Sequence, residues 1–297
     1  MLSTSISPVR GIIAILGLSI LPVATFAQDF DAVQITTVPV RDGIYMLQGS
    51  GGNIGVSVGA DGAFIVDDQF APLTDKIEAA IAELTDQPVN FVVNTHFHYD
   101  HTDGNENLGR AGAYIVAHDN ARRRMESTQV LANGRVQEAY DSVGLPKITF
   151  FDVMRFYFNG NTVELVNTGD GHTDGDAQVY FRDANVIHTG DMFVRYGLPF
   201  IDGNNGGTLD GMIEALWKLD GLIDDDTIII PGHGQLADRQ DLRDFRNMLV
   251  EIRGNLVRAK VQGLTTSQML ATEPAAGFAP ANDSTADWLS RAYAEYL

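Results

Sequence analysis

The sequence predicts a single α/β domain with helices outside two sheets. Three observations lead there. Apolar or alternating runs and helical-period stretches come in the order strands–helix–strands, then strands–helices, which suggests two similar halves. Clusters such as "RDG", "GSGG" and "ADG" punctuate the apolar runs as turns. The chain of 297 residues is 44% hydrophobic and 20% charged, so it can build one sizeable core and does not read as disordered.

The elements follow in order. Residues 33–68 read as consecutive strands, "AVQITTVPV", "GIYMLQG", "NIGVSVG" and "GAFIVDD". In "APLTDKIEAAIAELTDQ", Leu73, Ile77, Ala80, Ile81 and Leu84 recur at helical spacing, and "VNFVVNT" follows as a buried strand, which predicts a crossover connection. "GAYIVAH" is a strand and "DNARRRMEST" a helix. Residues 127–147 are polar and irregular, a flap or linker. Strand character returns in "ITFFDVMRFYFNGNTVELVNTGDG", where Thr162 and Glu164 alternate with Val163 and Leu165 and predict one wet face. "DAQVYFRDANVIHTGD" reads as a two-strand hairpin. The loop "GLPFIDGNNGG" precedes the helix "TLDGMIEALWKL", and "TIIIPGHG" is a strand. Helices fill most of the rest, including "LRDFRNMLVEIRGNLVRAKVQ" and "STADWLSRAYAEYL".

The first 27 residues read as a secretory signal: Arg10, then the uncharged "GIIAILGLSILPVATFA", with Thr25 and Ala27 as small residues before a cut at Gln28. A membrane anchor needs about 20 apolar residues, and Pro22 interrupts this run. The expected mature chain, 28–297, is exported to a periplasm or secreted, with no stable membrane insertion after cleavage. Cysteine is absent, which excludes disulfides, thiolate ligands and cysteine nucleophiles. The net charge of −19 repels nucleic acid and anionic lipid, so a small-molecule substrate is the expected partner. No motif specifies an oligomeric state.

The chemistry is concentrated in "NTHFHYDHTDGN", residues 94–105, which holds three of the seven histidines. In an extended segment His96 and His98 point to one side, and Asp100 and His101 follow where the chain turns. Imidazole nitrogen and carboxylate oxygen suit zinc or a similar divalent ion. Three further strand ends carry candidate donors: His172 in "NTGDGHTDGD", Asp191 in "HTGDMF" and His233 in "PGHG". Such ends can converge on one edge of a layered α/β fold. His118 is expected to cap or start the next helix, and His188 to pack behind the site. Phe70 and "GSGGN" at 49–53 read first as core and turn, with a place over the site as the alternative. Phe193, Tyr196, Phe200 and Asn204 are pocket candidates. The helical-tail arginines Arg239, Arg243, Arg246, Arg253 and Arg258 are spaced like a solvated face. No serine stands in a "GxSxG" elbow, which argues against a covalent route.

"HFHYDH" at 96–101, followed by His172, Asp191 and His233 in that order, resembles the metallo-β-lactamase fold hydrolases. The resemblance implies a four-layer αββα sandwich with a two-zinc site at one edge, although iron or manganese also suit such donors. It implies that His96, His98 and His172 hold one ion, that Asp100, His101 and His233 hold the other, and that Asp191 bridges them. Asp100 would also serve catalysis by orienting the attacking hydroxide or moving its proton. Dedicated lactamases of this fold carry cysteine or serine at the place of Asp191, whereas glyoxalase II-like thioesterases and phosphodiesterases carry aspartate. The favoured expectation is a dinuclear zinc hydrolase, β-lactamase-like, that cleaves an amide or ester bond with a metal-activated hydroxide and has broad or weak β-lactam activity. The alternatives are a thioester or phosphodiester hydrolase, and a metal-binding accessory or relay protein with little turnover.

Overall fold

The computed structural model describes residues 29–295, so the expected signal segment lies outside the described residues. The chain opens with an antiparallel meander, β1 (Thr36–Arg41), β2 (Ile44–Gln48), β3 (Ile54–Gly59) and β4 (Gly62–Val66). Helix α1 (Thr74–Ala82) crosses to β5 (Val89–Val93), which pairs parallel with β4. Two short helices, α2 (Tyr99–Thr102) and α3 (Asn105–Ala111), lead to β6 (Tyr114–His118) and α4 (Asp119–Met125). A small hairpin, β7 (Gln129–Val130) with β8 (Val136–Gln137), fills the segment that reads as a flap, and β9 (Ile148–Phe150) completes the first sheet. That sheet has the order β1-β2-β3-β4-β5-β6-β9.

The second sheet is β10 (Val153–Phe158), β11 (Asn161–Val166), β12 (Gln178–Phe181), β13 (Val186–His188) and β14 (Ile228–Ile230), in sequence order. Its pairs are antiparallel except β13 with β14, which α5 (Leu209–Leu222) separates in the chain. Helices α6 (Arg239–Val261), α7 (Thr266–Leu270) and α8 (Asp283–Glu295) follow. Asp238 starts α6 with a capping box, its side chain accepting from Asp241 N while the Asp241 side chain accepts from Asp238 N.

Three apolar interfaces separate four layers, and they show why the strands read as buried runs. Leu47, Ile54, Val56, Ile65 and Val92 pack the outer face of the first sheet against Ile77 and Ile81 of α1 and Leu108 of α3. Its inner face meets the second sheet through Ile44, Met46, Phe64, Val66 and Val93 against Phe158, Val163, Leu165, Val179 and Phe181. Tyr180, Ile187 and Ile229 then meet α5, α6 and α8 through Leu216, Leu249 and Trp288. Strand β4 is buried along its whole length because both of its faces are covered. Phe64 lies edge-on to Phe156 and Phe181, and burying one such ring contributes about 1.5–3 kcal/mol.

Two expectations about charged side chains are corrected. Glu164 does not face water: it is 6% exposed, bonded by Arg155 Nε at 2.6 Å and paired with Arg182. Two guanidiniums make that burial tolerable by covering the carboxylate. Of the five arginines of α6 only Arg258 is exposed as expected, and the other four are paired. Arg239, Arg243 and Arg246 converge on Asp220 of α5, and Arg246 lies 3.5 Å over the Trp217 ring. Arg253 pairs with Asp210. These charges join α5 to α6.

Candidate metal centre

The donor-bearing segments all leave strands at one edge of the sandwich. His96, His98, Asp100 and His101 follow β5, His172 follows β11, Asp191 follows β13, and His233 follows β14. Parallel pairing of β13 with β14, in register at His188 and Ile230, carries Asp191 and His233 out of the sheet side by side. The structure thus gathers all seven sequence-predicted donors. Within 4.8 Å clusters they form three overlapping groups: His96–His98–His172, His96–His101–Asp191 and Asp100–His101–His233.

Four of the five donor rings are held from behind. His96 Nδ1 lies 3.0 Å from Thr95 Oγ1, and its Nε2 is buried without a hydrogen-bond partner. His98 Nε2 lies 3.0 Å from Asp202 Oδ2, leaving Nδ1 to face His172 Nε2 at 2.9 Å. His172 Nδ1 lies 2.7 Å from Phe200 O. His101 Nδ1 lies 2.7 Å from Asp67 Oδ2, so its Nε2 points at Asp191 Oδ1, 3.2 Å away, and His233 Nε2, 3.3 Å away. Asp191 Oδ1 makes no hydrogen bond of good geometry. His233 Nε2 lies 3.3 Å from Asp100 Oδ2.

These contacts test whether the residues fit a cation, and they do. Acceptors behind His98 and His172 fix the outward nitrogen as a lone pair, these converge with the orphaned His96 Nε2, and His101 Nε2 faces the orphaned Asp191 Oδ1. Buried polar atoms without partners are costly, and cations held by these donors would satisfy His96 Nε2 and Asp191 Oδ1. Glycines make room. A Cβ at Gly52 would lie 2.1 Å from the His101 ring, and one at Gly232 would lie 2.0 Å from Asp191 Oδ1.

The electrostatics divide the site. Burial and the neighbouring histidines push His96 well down, and burial takes His172 down to about 4, which keeps both neutral and able to donate lone pairs. Burial opposes charge at Asp191 and Asp100 too, but His233 and His101 outweigh it and hold both carboxyls below their ordinary range. Burial likewise lowers His233, yet Asp191 and Asp100 outweigh it and raise the imidazole to about 9. His101 is raised for the same reason, with Asp191 and Asp67 as the main partners. The carboxylates therefore favour positive charge at this end of the site.

Outside the donors, a cavity of about 380 Å³ opens over Asp100, Asp191 and His233. Ser50, Phe70, Tyr196, Phe200 and the β7–β8 hairpin line it. Phe70 and the 49–53 turn therefore take the second of their two readings and stand over the site. Phe193 does not: it is 2% exposed in the helix-side core. Asn204 instead bonds Val130 O and Leu131 O of the hairpin. His118 caps α4, accepting from Asn120 N, and His188 packs behind the site with Nε2 2.9 Å from Asn53 O. The sequence reading missed Asp67 and Asp202. Asp67 was findable, since "AFIVDD" ends an apolar strand in acid as the other donor segments do; Asp202 lies in an irregular loop and carried no such signal.

The comparisons agree with this geometry. The family model of the metallo-beta-lactamase superfamily matches residues 48–233, which contain every donor. The hydroxyacylglutathione hydrolases of Brucella ovis and Brucella abortus are each 29% identical over 164 residues, covering 55% of this chain and 54% of theirs. The chain thus spans about half the length of the curated relatives it matches. Among solved structures, the metallo-beta-lactamase from Pontibacter korlensis is 20% identical with a TM-score of 0.61, covering 73% of this chain and 99% of that one. The DIM-1 metallo-beta-lactamase is 18% identical with a TM-score of 0.60, covering 73% and 98%. These likenesses support the αββα fold. With the matched segment spanning more than half of its length, the chain belongs to the metallo-beta-lactamase superfamily.

Proposed function

We propose that this protein is an exported, metal-dependent hydrolase of an amide or ester bond, with broad or weak activity on β-lactams. The observation that carries the reading is the convergence of seven His and Asp donors on one pocket beneath an open cavity. His96, His98 and His172 would hold one ion, Asp100, His101 and His233 a second, with Asp191 shared, and zinc suits this nitrogen and oxygen set. Bound there, the ions would supply Lewis acidity toward the scissile carbonyl and would lower the pKa of bound water towards about 7.

The chain's own groups do the rest. Asp100 is held ionised by His101 and His233, and 36% of its side chain is exposed to the cavity, so it can orient the attacking water by accepting a hydrogen bond from it. Burial and the nearby Asp191 push the Tyr196 phenol above its ordinary range, which keeps its O–H as a donor toward substrate oxygen. Phe70, Leu131 and Phe200 offer apolar contact. Among the described residues that line the cavity, Arg135 is the one lysine or arginine, in a chain whose net charge is −19, which supports a substrate with an anionic group near the scissile bond. Residues 1–27 support export to the periplasm.

A second reading, thioester hydrolysis, is favoured by the curated relatives named hydroxyacylglutathione hydrolase and by aspartate at position 191. One experiment separates the readings. Zinc-loaded protein is assayed on nitrocefin, an acyl thioester and a bis-aryl phosphodiester, before and after chelation. Chelator-sensitive turnover of nitrocefin supports the first reading, and turnover of the thioester alone supports the second. Metal uptake with no metal-dependent hydrolysis of any of the three overturns both and leaves the metal-binding accessory alternative, and no metal uptake overturns all three.

A further inference from the structure

Asp202 is fully buried, and its two carboxylate oxygens point at different parts of the molecule. Oδ2 lies 3.0 Å from His98 Nε2 and accepts from Asn205 Nδ2 at 2.8 Å. Oδ1 accepts from the backbone N–H of Ala132 at 2.8 Å, in the turn of the β7–β8 hairpin. The Asp202 N–H donates to His172 O at 2.9 Å. One residue therefore contacts two donor-bearing residues and the cavity wall.

The hairpin has a matching tether on its other strand. Gln137 is 2% exposed; its Nε2 donates to Phe97 O at 2.6 Å, and its Oε1 accepts from Tyr99 N at 3.2 Å. Both contacts fall on the backbone between His96 and Asp100. The turn that joins the two strands, with Asn133 and Arg135, is exposed and lines the cavity.

Asp202 also decides which nitrogen of His98 is free. A neutral imidazole has one N–H, and an acceptor at Nε2 draws it there, leaving the lone pair on Nδ1 toward His172. A cation on Nδ1 makes Nε2–H a better donor and strengthens its bond to Asp202, the acceptor that also holds Ala132.

Building on the metal-dependent reading, we propose that Asp202 is a positioning residue that couples cation binding at His98 to the placement of the 129–137 hairpin. Loading the centre and setting the substrate-side wall are then one event. The exposed hairpin turn hangs on the Ala132 bond to Asp202, and an ion on the ring beneath it would fix the carboxylate that accepts that bond.

The test uses the mature chain and cobalt(II), whose visible absorption reports its ligands. Cobalt affinity is measured by chelator competition, and amide exchange of residues 130–137 is followed by mass spectrometry, with residues 148–158 as the control. In the wild type, cobalt should slow exchange in the hairpin about tenfold and leave the control unchanged. In Asp202→Asn the amide oxygen still accepts from Ala132, but the NH2 donates to His98 Nε2 and moves the ring proton to Nδ1. Cobalt affinity should fall about 10–100-fold with altered absorption bands, and bound cobalt should no longer slow exchange in the hairpin as it does in the wild type. In Asp202→Ala both should fail. Hairpin exchange that ignores cobalt in a wild type that binds it, or Asp202→Asn with wild-type affinity and spectrum, overturns the coupling alone. A wild type that takes up no cobalt overturns the metal-dependent reading and the coupling with it. Should Asp202→Ala not fold, the wild type and Asp202→Asn decide.

Discussion

His98 Nδ1 and His172 Nε2 face each other at 2.9 Å, and each ring has its other nitrogen against an acceptor, Asp202 Oδ2 for one and Phe200 O for the other. Two lone pairs brought together in a buried pocket repel unless a positive centre lies between them. His101 is oriented in the same way, its Nδ1 taken by Asp67 so that Nε2 meets Asp191 Oδ1. The fold thus orients the rings from behind, and the chemistry in front is left to the donors.

Removing one of those rings should empty the first position. His98→Ala is expected to lower zinc affinity more than about 100-fold, beyond the 10–100-fold cost of losing an outer partner, and to abolish hydrolysis. Far-UV circular dichroism should stay that of the wild type. Zinc per chain after gel filtration checks it, and wild-type turnover in this variant would refute the assignment.

Asp191 approaches both donor groups, with Oδ1 3.2 Å from His101 Nε2 and Oδ2 3.8 Å from His172 Nε2. On the proposed two-zinc reading, Asp191→Ala should take stoichiometry from two ions towards one, weakening the His101 side more than the three-histidine side. Two tightly bound ions in calorimetric titration of this variant would remove the bridging role.

Close packing gives an independent handle on the second position. A methyl at Gly52 cannot coexist with the His101 ring where it stands. Gly52→Ala should cost about 1–3 kcal/mol of stability through overpacking and reduce occupancy at Asp100–His101–His233 while sparing the three-histidine group. Urea unfolding and zinc content together read both effects, and a variant unchanged in both would contradict the geometry.

Arg135 bears on substrate choice. Arg135→Glu should lower kcat/KM about tenfold for a carboxylate-bearing ester and leave the neutral ester of equal length within about twofold, since a charge-assisted contact is worth about 1.5–3 kcal/mol. Equal effects on the pair would remove the anionic-substrate reading.

Asp220 supplies the pH test. Burial alone would raise its pKa, but hydrogen bonds from Arg246, Arg239 and Arg243 outweigh it and hold the carboxyl below its ordinary range. A depressed carboxyl stabilises the fold above its unfolded pKa, about 3.9, and that contribution is lost as pH falls through the lower folded value. Asp220→Asn also leaves Arg246, 4% exposed, short of its partner, so it should cost about 3 kcal/mol at pH 7. Urea melts at pH 7 and pH 3 should show the gap between variant and wild type narrowing in acid. A gap that widens in acid would contradict the sign.

The strands and donor order were legible because both are local properties. Apolar runs ending in "NTHFHYDH", "GDGH", "HTGD" and "PGHG" place a donor a few residues past each strand, wherever the sheets lie in space. The side-chain environment was less legible. Period-two alternation put Glu164 on a wet face, yet Arg155 from the neighbouring strand and Arg182 cover it. Helical spacing made the α6 arginines look solvated, because nothing in their own segment announces Asp220 on α5.

By itself, then, the sequence determined the two-sheet α/β plan, the seven donors and the absence of any thiol chemistry, since periodicity, turn residues and residue type act over a few positions of chain. Tertiary structure alone decided which nitrogen of each histidine is free, which hairpin walls the cavity and which carboxylates stand behind the rings. Asp67 reaches His101 across 34 positions and Asp202 reaches His98 across 104, and contacts over such separations exist only once the sheets have packed.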